Sequence, residues 1–182
     1  GSSEALDSLV AECQKLGVEA AAFAVDVRDN AGVGAAIADT IARWGRVDLL
    51  FNNAGICAYG LAHELTEEAW DAMLDANLKG AWIVARHVIQ HMMARRAGVI
   101  INSSSVNGRQ AGEGQSAYCA AKAGVDMLTR CGALELGSHG IRVVGIAPGL
   151  VETPLTRHEL ENPAMRELFL AVAAQCSIAL ER

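Results

Sequence analysis

Apolar residues at helical spacing alternate with short apolar runs along most of the chain. The helical spacing predicts four helices, at about residues 3–16, 30–43, 66–96 and 114–136. The apolar runs predict four strands, at residues 18–27, 45–55, 97–105 and 141–148. Strands that alternate with helices of this length are joined by right-handed crossovers, so the pattern predicts an α/β fold with a parallel sheet.

Local signals refine the third helix. Thr66 is a suitable N-cap, and Glu67 and Glu68 place negative charge in the first turn, where the helix dipole favours it. The helical pattern then continues to about Arg96, with a break expected near Asn77. We therefore expect one long helical segment with an irregularity in its first half.

Composition narrows the class of protein. The chain has 182 residues, of which 52% are apolar and 4% aromatic, as expected for one domain with an aliphatic core. A formal charge of −6 and scattered basic residues argue against a nucleic-acid partner. No apolar run is long enough to cross a membrane and no signal peptide is evident, so we expect a cytoplasmic protein. Five widely spaced cysteines suggest neither disulfides nor a metal site, and we interpret them as small buried residues.

Small and polar residues follow each predicted strand. These exits are Asp26-Val27, Asn52-Asn53-Ala54-Gly55, Ser103-Ser104-Ser105 and Pro148-Gly149-Leu150. In parallel α/β sheets, ligands bind beyond the carboxyl ends of the strands. The four exits are therefore the expected rim of a ligand site.

Tyr118 and Lys122 lie four positions apart in the stretch SAYCAAKAG. On a helix this spacing places both side chains on one face, one turn apart, so that they can interact. A purely structural interpretation, with Tyr118 half-buried and the Lys122 charge in water, fits the pair alone equally well.

The combined motifs resemble those of the classical short-chain dehydrogenase/reductase family. The resemblance rests on NNAG (52–55), Asn77 in NLKGAW, Ser105, the Tyr118 and Lys122 pair, and PGLVETPL (148–155). It extends from about Ala5 to the end of the chain. It implies a Rossmann-type doubly wound parallel sheet and an NAD(P)-dependent oxidoreductase that interconverts an alcohol and a ketone by hydride transfer.

The resemblance also implies a catalytic set of Asn77, Ser105, Tyr118 and Lys122. Tyr118 would be the acid and base, and the Lys122 ammonium would lower its pKa from the ordinary value of about 10. Ser105 would hold the substrate oxygen, with Ser104 as the alternative serine. Asn77 would hold a water on the proton path.

Cofactor contacts are implied by the same resemblance. The residues concerned are Asp26, Val27, Asn53, Ala54, Gly55, Tyr118, Lys122, Pro148, Gly149, Val151 and Thr153. Asp26 would accept from the adenine amino group, and Lys122 would reach the nicotinamide ribose. The choice between NAD and NADP is not readable, and no metal is implied.

The sequence departs from the family at both ends. No Gly-x-x-x-Gly-x-Gly loop precedes Asp26, and the chain stops before the family's last helix and strand. We therefore expect one incomplete, truncated Rossmann-type domain over residues 1–182, with a helical flap at about 152–176.

Other functions remain open at this stage. The absent loop suggests, as an alternative, a catalytically impaired binding or regulatory module, and dehydration or epimerisation is a further possibility. The expected partners are a small-molecule alcohol or ketone and further copies of the chain. The family's dimer faces correspond to helices 67–96 and 114–136, so we expect a homodimer or homotetramer.

Overall fold

The computed structural model describes residues 3–149 together with 151, 161, 163, 166 and 167. The helices are α1 (Ser3–Lys15), α2 (Asn30–Trp44), α3 (Glu67–Leu74), α4 (Gly80–Arg95) and α5 (Ser116–Leu136). The strands are β1 (Leu49–Asn52), β2 (Gly98–Ser103) and β3 (Ile141–Ile146). A π-helix, Asp75–Lys79, joins α3 to α4, and short 3₁₀ turns lie at Val106–Gly108 and Gly137–His139.

The three strands form one parallel sheet in the order β1-β2-β3. Asn52 of β1 is in register with Asn102 of β2, and Ser103 of β2 with Ile146 of β3. The carboxyl ends of all three strands therefore lie at one edge of the sheet. The predicted α/β architecture with a parallel sheet is confirmed.

The prediction of a strand at residues 18–27 is wrong. Residues 18–26 belong to no helix or strand, and a turn follows at Val27 and Arg28. A strand requires a neighbour about 4.8 Å away to pair its backbone groups. The sheet of the described residues is formed by β1, β2 and β3, and this apolar run pairs with none of them.

The core lies between the sheet and helices α4 and α5. Its buried side chains are Val88 and Met92 of α4, Leu136 of α5, and Ile100, Ile141 and Val143 of the sheet. These residues are aliphatic or sulfur-containing, as the low aromatic content predicts. In β2 and β3 the core residues precede the carboxyl ends of the strands, so the core packs behind the polar edge of the sheet.

Helix boundaries follow the predicted signals. The Thr66 hydroxyl accepts a hydrogen bond from the Ala69 N–H at 3.2 Å, which caps α3. Gly45 takes a left-handed conformation (φ 74°) at the end of α2, a conformation that costs glycine little. The break expected near Asn77 is the π-helix.

The expectation of buried cysteines is wrong. Cys13, Cys57 and Cys119 are half-buried and Cys131 is exposed. On α5 the buried face is formed by Ala117, Ala121 and Val125 and does not include Cys119 or Cys131. Cys176 lies outside the described residues.

Two classes of structure are not found in the described part of the chain. None of its helices combines the length and apolar character needed to span a bilayer. No group of three or more His, Cys, Asp or Glu side chains is placed there to hold a metal ion.

Candidate active site

Asn77 lies inside the π-helix and is only 2% exposed. Its Nδ2 donates to the carbonyl oxygens of Ile56 and Met73, both at 2.9 Å, and its Oδ1 accepts from the Ile56 N–H at 3.3 Å. The Asn77 side chain thereby attaches the segment that follows β1 to the end of α3 and the π-helix. Asn77 is thus held in one orientation.

Lys122 is a buried cation on α5, with 5% exposure. Its Nζ donates to the carbonyl oxygen of Ser103 at 2.8 Å and lies 5.6 Å from the centroid of the Tyr118 ring. Burial lowers the pKa of Lys122, and an electrostatic interaction with Cys57 partly opposes this shift. The ring contact confirms that Tyr118 and Lys122 share one face of α5.

Gly55 is where Asn77 and Lys122 come together. A Cβ placed on Gly55 would lie 2.5 Å from Asn77 Oδ1 and 3.7 Å from Lys122 Nζ. Glycine is required here because a side chain would displace the asparagine amide. The structure therefore brings Gly55, Asn77, Lys122 and Tyr118 together beyond the carboxyl ends of β1 and β2.

The three serines after β2 have different partners. Ser103 offers its carbonyl to Lys122, and the buried Ser104 hydroxyl donates to the Lys122 carbonyl at 3.2 Å. Ser105 Oγ accepts from the Asn107 N–H at 3.2 Å and caps the 3₁₀ turn. Of the two candidate hydroxyls, that of Ser104 is committed to backbone, whereas the hydroxyl hydrogen of Ser105 has no acceptor within the described residues.

The remaining predicted residues line the rim in part. Asn53, Ala54 and Gly55 are exposed after β1, and Pro148 and Gly149 follow β3. The Val106 N–H donates to the Pro148 carbonyl at 3.0 Å, which joins the exits of β2 and β3. Val151 is exposed, while Thr153 and nearly all of the proposed flap lie outside the described residues.

Asp26 is engaged by a neighbour. Its two carboxylate oxygens accept from Arg28, the shortest contact being 2.6 Å to Nη2, and these bonds lower the pKa of Asp26 to about 2. Val27 is half-buried beside Gly80, whose added Cβ would lie 2.7 Å from Val27 Cγ2. Any ligand at Asp26 would share the carboxylate with Arg28.

A buried polar network beneath the site was missed by the sequence analysis. Asn52 Nδ2 donates to Asn102 Oδ1 at 2.9 Å, and Asn102 Nδ2 donates to Thr129 Oγ1 at 2.9 Å. The Thr129 hydroxyl donates in turn to the Val125 carbonyl at 2.7 Å. An asparagine as the last residue of two adjacent apolar runs was the available signal. The network joins both strand ends to α5.

A second missed contact holds the segment between Ser105 and Tyr118. Arg109 Nε lies 3.0 Å from Asp126 Oδ2, and the Asp126 side chain is largely buried. Asp126 is one turn beyond Lys122 on α5. The ion pair therefore fastens the segment to the same helix that carries Tyr118 and Lys122.

The fold and this site together define a Rossmann-type parallel α/β domain with a tyrosine and a lysine at its ligand-binding edge. The family model for short chain dehydrogenases matches residues 1–164. The chain belongs to this family of oxidoreductases.

Relatives with established names are similar over most of the chain. The 3-oxoacyl-(acyl-carrier-protein) reductase FabG of Thermotoga maritima is 41% identical over 155 residues, which are 85% of this chain and 63% of that protein. The 2-(R)-hydroxypropyl-CoM dehydrogenase of Xanthobacter autotrophicus is 38% identical over 84% of this chain and 62% of its own length. The chain thus spans less than two thirds of the length of these two relatives.

Solved structures share the fold. A gluconate 5-dehydrogenase from Burkholderia cenocepacia, in complex with NADP and tartrate, superposes with a TM-score of 0.86 at 35% identity. The match covers 90% of this chain and 64% of that protein. The doubly wound Rossmann architecture is therefore the fold of this chain, which spans less than two thirds of that neighbour's length.

Proposed function

We propose that this protein interconverts a small-molecule alcohol and ketone, with Tyr118 as the acid and base and NAD or NADP as the cofactor. The observation that carries the proposal is the position of the buried Lys122 ammonium, which lies 5.6 Å from the Tyr118 ring and 2.8 Å from the Ser103 carbonyl. A lysine is rarely buried without a functional or ionic partner. The family relationship supports the same chemistry.

The proton is handled by the chain's own residues. In ketone reduction, negative charge develops on the substrate oxygen and must be neutralised by a proton. The Tyr118 hydroxyl donates this proton, and the positive charge of Lys122 stabilises the tyrosinate that remains. In alcohol oxidation the same groups act in reverse, and the tyrosinate accepts the hydroxyl proton.

Ser105 and Asn77 complete the proposed set. Because Ser105 Oγ accepts from the Asn107 N–H, its hydroxyl hydrogen is directed elsewhere and can donate to the substrate oxygen. Asn77 is held by Ile56 and Met73, with Oδ1 toward the space at Gly55 near Lys122. That oxygen is placed to accept from a water that returns protons to Lys122 and Tyr118.

The rim fits the nicotinamide half of a dinucleotide cofactor. The exposed Asn53-Ala54-Gly55 backbone allows a flat ligand to approach, and Gly55 has no side chain to exclude it. Pro148, Gly149, Val151 and Thr153 are the proposed flank on the other side, and Asp26 and Val27 the adenine end. When bound, the cofactor donates or accepts the hydride.

Exchange of Tyr118 tests the proposal. In purified protein with NADH or NADPH, Tyr118→Phe should lower kcat at least about 100-fold, a loss within the range for removal of a general acid. Tyr59→Phe, the matched change at the chain's other tyrosine, should leave kcat within about threefold, as expected for a residue outside the proposed set. Turnover of Tyr118→Phe comparable to that of Tyr59→Phe would disprove the assigned role.

The alternative function is a catalytically impaired binding or regulatory module. Titration of the wild-type chain with NADH and NADPH, followed by cofactor fluorescence, distinguishes the two functions. Binding of either dinucleotide below millimolar concentration, with turnover of a ketone, supports the enzyme. Binding without turnover supports the module.

We also propose that the chain assembles as a homodimer or homotetramer. Large apolar side chains are exposed on the outer faces of the helices expected to form the contact, namely Trp70 on α3, Trp82 on α4, and Met127 and Leu134 on α5. Exposed aromatic and aliphatic side chains on neighbouring helices are typical of protein contacts. A monomeric mass by light scattering at micromolar concentration would refute this assembly.

A further inference from the structure

Asn107 and Gln115 form a pair of amides beside the proposed catalytic residues. Asn107 Nδ2 donates to Gln115 Oε1, and both side chains are half-buried. The Asn107 N–H donates to Ser105 Oγ at 3.2 Å, so the pair is hydrogen-bonded to the proposed catalytic serine. Gln115 is the N-cap residue of α5 and lies three positions before Tyr118. The pair therefore links the flanks of Ser105 and Tyr118.

The backbone holds both amides in place. The Gln115 N–H donates to the Gly112 carbonyl at 3.2 Å, and the Gln115 carbonyl accepts from the Cys119 N–H at 2.8 Å. A Cβ on Gly112 would collide with Gln115 Oε1 and lie 3.4 Å from Asn107 Nδ2. The main chain at residue 112 thus covers one side of the pair, and only glycine permits this close approach.

The pair retains unused hydrogen-bonding capacity. The mutual bond uses one NH₂ group and one carbonyl oxygen, whichever way the two amides are turned. One carbonyl oxygen and one NH₂ group remain, and neither has a partner among the residues that the structure describes. A half-buried pair of amides that offers both an acceptor and a donor matches a group that both donates and accepts.

We propose that Asn107 and Gln115 recognise a hydroxyl group on the substrate carbon next to the reacting carbonyl, so that the substrate class is hydroxy ketones and the corresponding diols. This inference rests on the proposed function, because it places the reacting carbonyl at Ser105 and Tyr118. A hydroxyl donates to the free amide carbonyl and accepts from the free NH₂, so it satisfies both groups at once. A methyl group in the same place leaves the free carbonyl oxygen and the free NH₂ group desolvated and without a partner.

The discrimination should be visible in kcat/KM. Two net hydrogen bonds to neutral groups correspond to a preference of about 10- to 100-fold for the hydroxylated substrate. Hydroxyacetone and butan-2-one differ only by a hydroxyl in place of a methyl, as do 2-hydroxycyclohexanone and 2-methylcyclohexanone. Each pair therefore reports the hydroxyl contact with the size of the substrate held nearly constant.

The test compares these ketones with wild type and three variants. Gln115→Leu removes the glutamine amide at similar volume, and Gly112→Ala displaces it without removing it. Gln90→Leu makes the same chemical change on an exposed position of α4. Wild type and Gln90→Leu should prefer the hydroxy ketone by about 10- to 100-fold, and Gln115→Leu and Gly112→Ala should reduce this ratio to about threefold or less.

The outcomes separate this inference from the proposed function. Equal turnover of the two ketones of each pair by the wild type, or an unchanged preference in Gln115→Leu, overturns hydroxyl recognition while ketone reduction itself stands. If the folded wild type reduces none of the four ketones with either cofactor, the proposed function fails and hydroxyl recognition falls with it. A preference that is lost in Gln115→Leu and kept in Gln90→Leu supports both.

Discussion

Thr129→Val probes the buried network that joins β1, β2 and α5. Valine has nearly the shape of threonine and a similar helix propensity, so the change removes the hydroxyl with little effect on packing. The Asn102 amide, which is only 2% exposed, then loses the acceptor 2.9 Å away. Asn102 Oδ1 already accepts from Asn52 Nδ2 at 2.9 Å, so turning the amide over would break that bond instead.

The magnitude follows from this burial. An unsatisfied buried donor lowers the free energy of unfolding by about 1–3 kcal/mol, and the added methyl group returns up to about 0.8 kcal/mol. We expect a net loss of about 1–2 kcal/mol. For a chain of this size, that loss corresponds to a decrease in Tm of about 2–8 °C.

Thr40→Val is the matched control. The Thr40 hydroxyl also donates to the carbonyl four residues earlier, that of Ala36 at 2.8 Å, but within the described residues it accepts no side-chain hydrogen bond of the kind that Asn102 gives to Thr129. Its replacement should change the free energy of unfolding by less than about 0.5 kcal/mol. Urea unfolding followed by tryptophan fluorescence measures both variants. Equal stability of the two would show that the Asn102 amide does not depend on Thr129.

Two further predictions concern the site itself. Gly55→Ala should lower kcat/KM at least about 10-fold while the fold is kept, because the new methyl group lies 2.5 Å from Asn77 Oδ1 and displaces it. Gly137→Ala is the control, since a Cβ added there meets nothing within 4 Å. Because burial lowers the pKa of Lys122, the unfolded chain binds this proton more tightly than the folded chain. The free energy of unfolding should therefore rise with pH between the lowered pKa of Lys122 and about 10.4. Lys122→Met should flatten this rise when urea unfolding is measured at several pH values. An equally steep rise in Lys122→Met would contradict the assignment to Lys122.

Local signals predicted most of the elements. Thr66 and Gly45 mark the ends of helices through their own backbone and side-chain chemistry, so the sequence is enough to place them. The break at Asn77 was also predictable in position, although its form as a π-helix was not. The prediction of a strand at residues 18–27 was wrong because strand formation depends on a neighbouring strand, which no local sequence pattern reports.

The site was predictable to a smaller extent. The spacing of Tyr118 and Lys122 predicts that they meet, and the ring contact confirms it. The partnership of Asn52, Asn102 and Thr129 joins residues 27 to 77 positions apart and arises only when the strands are in register. The engagement of Asp26 by Arg28 is local, but the sequence equally allows both side chains to face solvent.

The π-helix at Asp75–Lys79 makes α3 and α4 behave as one rod with a single inserted residue. Each residue of an α-helix advances the side chains by about 100°, so one extra residue turns everything after it by that angle relative to a continuous helix. The face of α3 that buries Met73 and the face of α4 that buries Ile83 and Val88 are therefore set independently along one axis. The Gly80 N–H reaches the Asp75 carbonyl five residues earlier, so deletion of one residue in this turn would let the helix continue in α-helical register with the faces of α4 unchanged. What would be lost is the widened turn that holds Asn77.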